Sequence, residues 1–224
     1  MRIVNVALII SFGLLACKVP EPTIVTRTVI TERVVKVDKE IVVEKLRFQI
    51  FDITGTGIND LIKISQYADP ETYAKIMLFI EEEIPNTAVA SAIVTQALAY
   101  NIPVLTAIAL AWQESQYNPS ARNVNPSSVD VGLYQLNSKT FSELTREDLL
   151  NPARNAQEAM EFLNYLILRF ESWDLALVAY NAGPTSVVNQ RIPWTTFQHV
   201  VKINAKVAEL EKTLVHILMI QPEV

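Results

Sequence analysis

Glu114 and Asp130 lie sixteen residues apart, the first in "AWQESQYNPSA" and the second in "SSVDVGLYQLNS". Two carboxylates on separate elements can face each other across a cleft, one protonated to donate to a leaving oxygen and one ionised to steer water or stabilise a cation. Farther along, Tyr180 and Asn181 in "ALVAYNAGP" add a phenol and an amide, groups that can satisfy several hydroxyl and acetamido functions of a sugar at once. Plainer readings stand beside these. Glu114 could be an exposed helix-end glutamate, Asp130 a turn acceptor for backbone amides beside Ser127 and Ser128, and Tyr180 a core residue.

For Glu114 to act, its helix has to deliver it to a protected place. It follows Ala107, Leu110 and Ala111 by seven, four and three residues, so it shares a helix face with small and apolar side chains and ends a buried stripe. A carboxyl group there loses water, which favours the neutral form and predicts a raised pKa suited to a general acid.

From residue 58 onward apolar residues recur at three and four, which predicts helices, and strand signals are nearly absent. "ADPETYAKIMLFIEEEIP" has Asp69 as its N-cap and Pro70 at the first helical position, and "NTAVASAIVTQALAY" follows it. "IPVLTAIALAWQES" starts at Pro103, and "NPARNAQEAMEFLNYLILRF" opens on Asn151 and Pro152. "SWDLALVAYNAGP" runs from a Ser172 cap to Gly183 as a left-handed C-cap, with Pro184 blocking continuation; Ala176, Ala179 and Ala182 are small enough for close helix approach. The last helix is "TFQHVVKINAKVAELEKTL". Residues 116–137, rich in Asn and Asp, read as an irregular loop on this helical scaffold, a common place for chemistry.

Composition removes several functions. One cysteine, Cys17, allows no intramolecular disulfide and no cysteine-held metal, and His199 and His216 stand apart without acidic ligand spacing, so neither metal nor cofactor is expected. The five glycines form no phosphate-binding loop. Residues 51–224 carry eleven basic and nineteen acidic side chains, a net of minus eight with no basic cluster, which excludes nucleic acid as partner.

The beginning of the chain has a different character. Arg2, a mostly apolar run from Ile3 to Phe12 and "LLAC" up to Cys17 resemble a bacterial lipoprotein signal, giving a signal peptide at 1–16 and a lipidated Cys17; a short signal peptide cut elsewhere is the competing reading. The run is too short to span a bilayer. Residues 17–50 alternate Val, Ile and Thr with charged residues and read as an extended tether, reaching roughly 110 Å if fully stretched; a strand or hairpin is the alternative, though no Asn-Gly or Asp-Gly turn interrupts the run. The expected location is therefore the bacterial cell envelope, lipid-anchored to a membrane and facing the periplasm or cell wall.

"AWQESQYNPSA", "DVGLYQLNS" and "AYNAGP", in this order and at these separations, resemble the lytic transglycosylases of the soluble-transglycosylase, goose-lysozyme-like group over roughly residues 86–205. The "N.N..S.D.GL.Q.N" form resembles those that open the wall for secretion, conjugation or surface organelles. The resemblance implies a mainly α, lysozyme-like (SLT) helical domain with a substrate cleft at 86–217, preceded by a helical extension at 51–85. It implies peptidoglycan glycan strands as substrate, Glu114 as catalytic acid, and Ser115 (a supporting hydroxyl), Gln135, Tyr180 and Asn181 as substrate-binding groups.

Two positions depart from the family pattern. Tyr134 stands where methionine is common, offering a flat cleft wall to an N-acetyl group. His199 stands where a tyrosine often follows, and either replaces that residue's hydrogen bond or faces solvent, the latter being the plainer expectation. The implied reaction cuts the β-1,4 link between N-acetylmuramic acid and N-acetylglucosamine and closes a 1,6-anhydro ring without water. Asp130, whose segment also resembles the "S.D.G..QIN" run of animal-type lysozymes, is auxiliary in that scheme. In a hydrolytic muramidase it would be the second carboxylate. A wall-binding lipoprotein without activity is the remaining alternative.

Overall fold

The structure, a computed structural model, describes residues 57–219. The expected signal peptide with Cys17, the tether at 17–50 and the first six residues of the helical extension lie outside the described residues.

Helix α1 (Gly57–Ala68) stops at Asp69, which caps α2 (Pro70–Glu83): its carboxylate accepts from the Thr72 amide at 3.2 Å, and Pro70 occupies the first turn where no N–H is needed. Asn86 caps α3 (Thr87–Ala99) through the Ala88 and Val89 amides. Helix α4 (Val104–Ser115) is buried along almost its whole length, from Val104 and Leu105 through Ala107, Ile108, Ala109, Leu110 and Ala111. Each fully buried Leu, Ile or Val there contributes roughly 1.5–3 kcal/mol relative to exposure. Being apolar on every side, α4 has to run through the middle, and α1, α3 and the last helix all pack on it.

The segment expected as an irregular loop contains a small antiparallel sheet, β1 (Arg122–Val124), β2 (Val129–Val131) and β3 (Leu136–Asn137), in that order. Its strands are two or three residues long, too short for alternation to register in a periodicity reading. A short helix α5 (Arg146–Leu150) follows, started by a capping box between Thr145 and Asp148. Asn151 then caps α6 (Pro152–Phe170), whose buried Asn155, Ala156, Ala159, Met160, Leu163 and Leu166 keep the helical spacing against α3.

Ser172 caps α7 (Trp173–Ala182) as expected, but Pro184 does not end the helical path. Gly183, at φ 82° and ψ 146°, closes α7 and at once opens α8 (Pro184–Val188), where Pro184 takes the first-turn position that suits a residue without an N–H. That region of φ and ψ is open in practice to glycine alone. The last helix, α9 (Trp194–Met219), is longer at both ends than the expected 196–214. Its buried stripe of Thr196, Val200, Ile203, Lys206, Leu210 and Leu214 packs on α4, α7 and α2.

Both ends of α4 are tied to the helical extension. Pro103 precedes the helix and gives it no side-chain cap. The fully buried Asn59 of α1 supplies one instead, accepting from the Val104 amide at 2.9 Å and donating to the Ile102 carbonyl at 2.8 Å. At the other end the Tyr117 hydroxyl donates to Glu83 Oε1 of α2 at 2.6 Å, and the same oxygen accepts from Lys206 Nζ of α9 at 2.9 Å. Lys206 is 9% exposed and its ammonium lies 5.5 Å from the centre of the Trp112 ring. Burial by itself lowers the Lys206 pKa, yet hydrogen bonds and charge from Glu83 and Glu209 outweigh it and the net shift is upward. Replacing Glu83 by Leu removes the closer of the two carboxylates on a buried ammonium and leaves it only Glu209 at 3.2 Å, and urea unfolding should show a loss of roughly 2–5 kcal/mol. Most of that loss should return in the Glu83→Leu/Lys206→Met double variant, because the under-compensated buried charge is then gone.

Candidate active site

Glu114 is the penultimate residue of α4, where the unsatisfied carbonyl end of the helix disfavours a negative charge. Its side chain is 12% exposed, so it does end the buried stripe rather than project into solvent. The chain leaves the helix through two successive non-glycine residues at positive φ, Gln116 at 52° and Tyr117 at 64°. Such backbone persists only when its surroundings hold it. Here the Tyr117 hydroxyl is fixed on Glu83, with burial first and Glu83 next keeping the phenol protonated and a donor. Ser115 turns its Oγ to the carbonyls of Leu133 at 2.7 Å and Ala111 at 3.2 Å. It is a brace between α4 and the following loop, away from the cleft.

Asp130 sits on β2 directly opposite Asn123 on β1 and Asn137 on β3, a row fixed by strand register. Its Oδ1 accepts from Asn137 Nδ2 at 2.6 Å, and its Oδ2 accepts from Asn125 Nδ2 at 2.8 Å and Asn123 Nδ2 at 3.2 Å. Asn137 Nδ2 also donates to Ser128 Oγ at 2.9 Å. The polar letters of the "N.N..S.D" pattern thus form one cage around the carboxylate. The partners are side-chain amides, where a turn aspartate would hold backbone amides. A one-residue slip of either strand would turn the row to the opposite face.

The loop between β2 and β3 is pinned by Asn155, fully buried on α6. Its Oδ1 accepts from the Tyr134 amide at 2.8 Å, and its Nδ2 donates to the Leu149 and Val131 carbonyls at 2.8 and 3.0 Å. Gly132, at φ 83°, lies so close that an added Cβ would stand 2.2 Å from the Leu149 oxygen and 2.4 Å from Asn155 Nδ2. This turn sends Tyr134 inward. Its ring is 0% exposed and its hydroxyl donates to the Ala107 carbonyl at 3.0 Å, which corrects the expectation that Tyr134 forms a cleft wall. Its backbone carbonyl faces the other way and accepts the Tyr180 hydroxyl at 2.9 Å. Burial, and then the Glu114 charge, holds the Tyr180 phenol well above its ordinary range, so it stays a neutral donor.

Glu114, Asp130, Gln135, Tyr180 and Asn181 all line one cleft of about 530 Å³. Gln135, at φ 48°, commits Nε2 to the Gly132 and Ala121 carbonyls, which leaves Oε1 as its atom for a ligand. Asn181 accepts the Thr196 hydroxyl on Oδ1 at 2.8 Å and keeps Nδ2 for the same purpose. One wall is apolar: Phe141 and Phe162 meet edge to face at 5.7 Å, and Phe162 lies 5.8 Å from the Tyr180 ring. Glu114 and Asp130 share the cleft, but no hydrogen bond joins them.

His199 differs from the plainer expectation. It comes from α9, is 12% exposed, and places Nε2 3.1 Å from Glu114 Oε1. Sequence reading also missed Asn125, Asn137, Phe141 and Phe162 at the cleft. The two asparagines had a signal as letters of the "N.N..S.D.GL.Q.N" pattern; the phenylalanines had none to separate them from core. No group of three or more metal-ligating side chains occurs among the described residues.

Residues 91–192 match the family described as Transglycosylase SLT domain. This part of the chain is a transglycosylase SLT domain. The chain is similar to X polypeptide of Escherichia coli, 34% identical over 92 residues that make up 37% of this chain and 54% of that protein. It is also similar to Protein IpgF of Shigella flexneri, 38% identical over 92 residues, 38% of this chain and 60% of that one. The chain thus spans about half the length of the curated relatives it matches. No solved structure gives a significant match. The fold is accordingly mainly α and lysozyme-like. The SLT domain holds Glu114, Asp130, Gln135, Tyr180 and Asn181, while Asn59, Glu83 and His199 fall outside its matched bounds.

Among the described residues no helix is long and apolar enough to cross a membrane. Within the SLT domain, Gly132→Ala forces both a strained φ and a clash with Leu149 and Asn155. Thermal or urea unfolding should report a loss of at least about 2 kcal/mol.

Proposed function

We propose that this protein is a peptidoglycan lytic transglycosylase that cleaves the bond between N-acetylmuramic acid and N-acetylglucosamine and leaves a 1,6-anhydro end. The observation that carries the reading is the asymmetry of the two carboxylates in the cleft. Glu114 ends a buried helix and has its charge partly shielded from water, whereas Asp130 is tied by three asparagine amides. One acid is placed to exchange a proton. The other is held as a fixed acceptor.

Protonated Glu114 donates to the glycosidic oxygen as the bond to C1 breaks, and the acetamido oxygen of the same sugar supports the cationic carbon. Ionised Glu114 then removes the proton from the C6 hydroxyl as that oxygen bonds to C1. The proton returns to the enzyme and no water is consumed. Asn181 Nδ2 and Gln135 Oε1 are the free amide ends that suit acetamido and hydroxyl groups, and the Phe141 and Phe162 wall suits a sugar face. Asp130 organises the sheet side of the cleft and adds a carboxylate to its lining.

Digestion of purified sacculi followed by mass analysis tests this reading. The product should be one water lighter than a reducing end. Glu114→Gln should lower the rate by roughly 100- to 10,000-fold with the fold intact. Asp130→Asn should slow the reaction and leave the product anhydro. A hydrated end from the unmutated enzyme, lost on replacing Asp130, would instead make the protein a hydrolytic muramidase.

The same reading places the catalytic domain at the cell wall, held to a membrane by acyl chains on Cys17 and reaching out on the 17–50 tether. Membrane fractionation should find the protein with membranes, and Cys17→Ala should release it or stall its processing. Unchanged fractionation would discard the anchor.

A further inference from the structure

Glu114 has one close polar neighbour that the proposed reaction leaves unused. His199 stands one helical turn after Thr196, which donates to Asn181, so one face of α9 reaches two cleft residues. Nε2 of His199 is inaccessible to water and makes no directed hydrogen bond among the described residues. Yet it lies 3.1 Å from Glu114 Oε1. The two facts agree if the contact is close in distance and bent in direction, so that a small rotation of the Glu114 side chain brings oxygen and N–H into line. A buried imidazole nitrogen is costly without a partner, and a carboxylate at the negative end of a helix gains from a donor.

Two other polar groups on the helices that meet here are already engaged. From α7, the Tyr180 hydroxyl is committed to the Tyr134 carbonyl. Farther along α9, Lys206 is held by Glu83 of α2 and by Glu209. Among the described residues no Lys or Arg forms an ion pair with Glu114.

We infer that His199 is a positioning residue for Glu114: a hydrogen on Nε2 holds Oε1 and leaves Oε2 to exchange the proton with substrate. The inference rests on the transglycosylase reading and goes beyond it, because His199 lies outside the SLT domain's matched residues. A carboxyl that must first donate and then accept from a different oxygen needs its plane fixed through both steps. A single donor on the oxygen not in use does that without blocking the other.

Sacculus digestion by the full chain and its His199 variants, with thermal unfolding as the check on folding, separates positioning from packing. His199→Phe keeps a flat side chain without the donor and should lower kcat roughly 100-fold with KM little changed. His199→Gln places an amide N–H near the Nε2 position and should stay within about tenfold of the unmutated rate. Added imidazole should restore part of the activity of His199→Ala.

A readout independent of turnover comes from nitrogen NMR of the imidazoles, made simple by there being only two histidines. The His199 Nε2 signal should be that of a protonated nitrogen and should move in Glu114→Ala. Full kcat in His199→Phe, a change confined to KM, or an Nε2 signal indifferent to Glu114→Ala would overturn the inference. If the unmutated protein releases no product while that signal does respond, the transglycosylase reading fails and the pairing stands.

Discussion

A helix that is apolar on every side cannot hold its own ends, and α4 has to end on Glu114, the carboxyl that lines the cleft. The peptide groups at either end of such a helix have no partner within it, and water is excluded from around them. Asn59 answers this at the entrance, and the Tyr117 hydroxyl on Glu83 fixes the turn at the exit. Both partners come from the two helices that precede the SLT domain. These helices therefore belong to the scaffold of the cleft, and the position of Glu114 depends on a buried charge network that also takes in Lys206 of α9.

The cleft follows from the same rule applied to the segment after α4. The side chains that hold it are paired with named partners: Asn155 serves three backbone groups, Asp130 receives three amides, and Ser115 and Tyr180 each close on a backbone carbonyl of the same loop. Left-handed backbone at Gln116, Tyr117 and Gln135 is held in place by these bonds. These paired surroundings leave few polar atoms uncommitted at the cleft, and those few define what it can do: the Glu114 carboxyl with His199 Nε2 beside it, Gln135 Oε1 and Asn181 Nδ2.

The sequence by itself determined what local chemistry controls. The caps at Asp69, Asn86, Asn151 and Ser172 are bonds from one side chain to amides two or three residues away, so the helix starts could be read from residue types alone. Glu114 on a buried stripe was legible for the same reason, as a matter of spacing along one helix. The family likeness carried Gln135, Tyr180 and Asn181 to the cleft as well. Tertiary structure decided the rest, because the partners are distant in the chain. Tyr134 turns inward through the Gly132 bend and an asparagine 21 residues away. The short strands set Asn123 and Asn137 beside Asp130 through their register, and strands of two or three residues leave no periodic trace. His199 meets Glu114 only because the stripe of α9 packs on α4, and no pattern within either helix records which residue of one will face a given residue of the other.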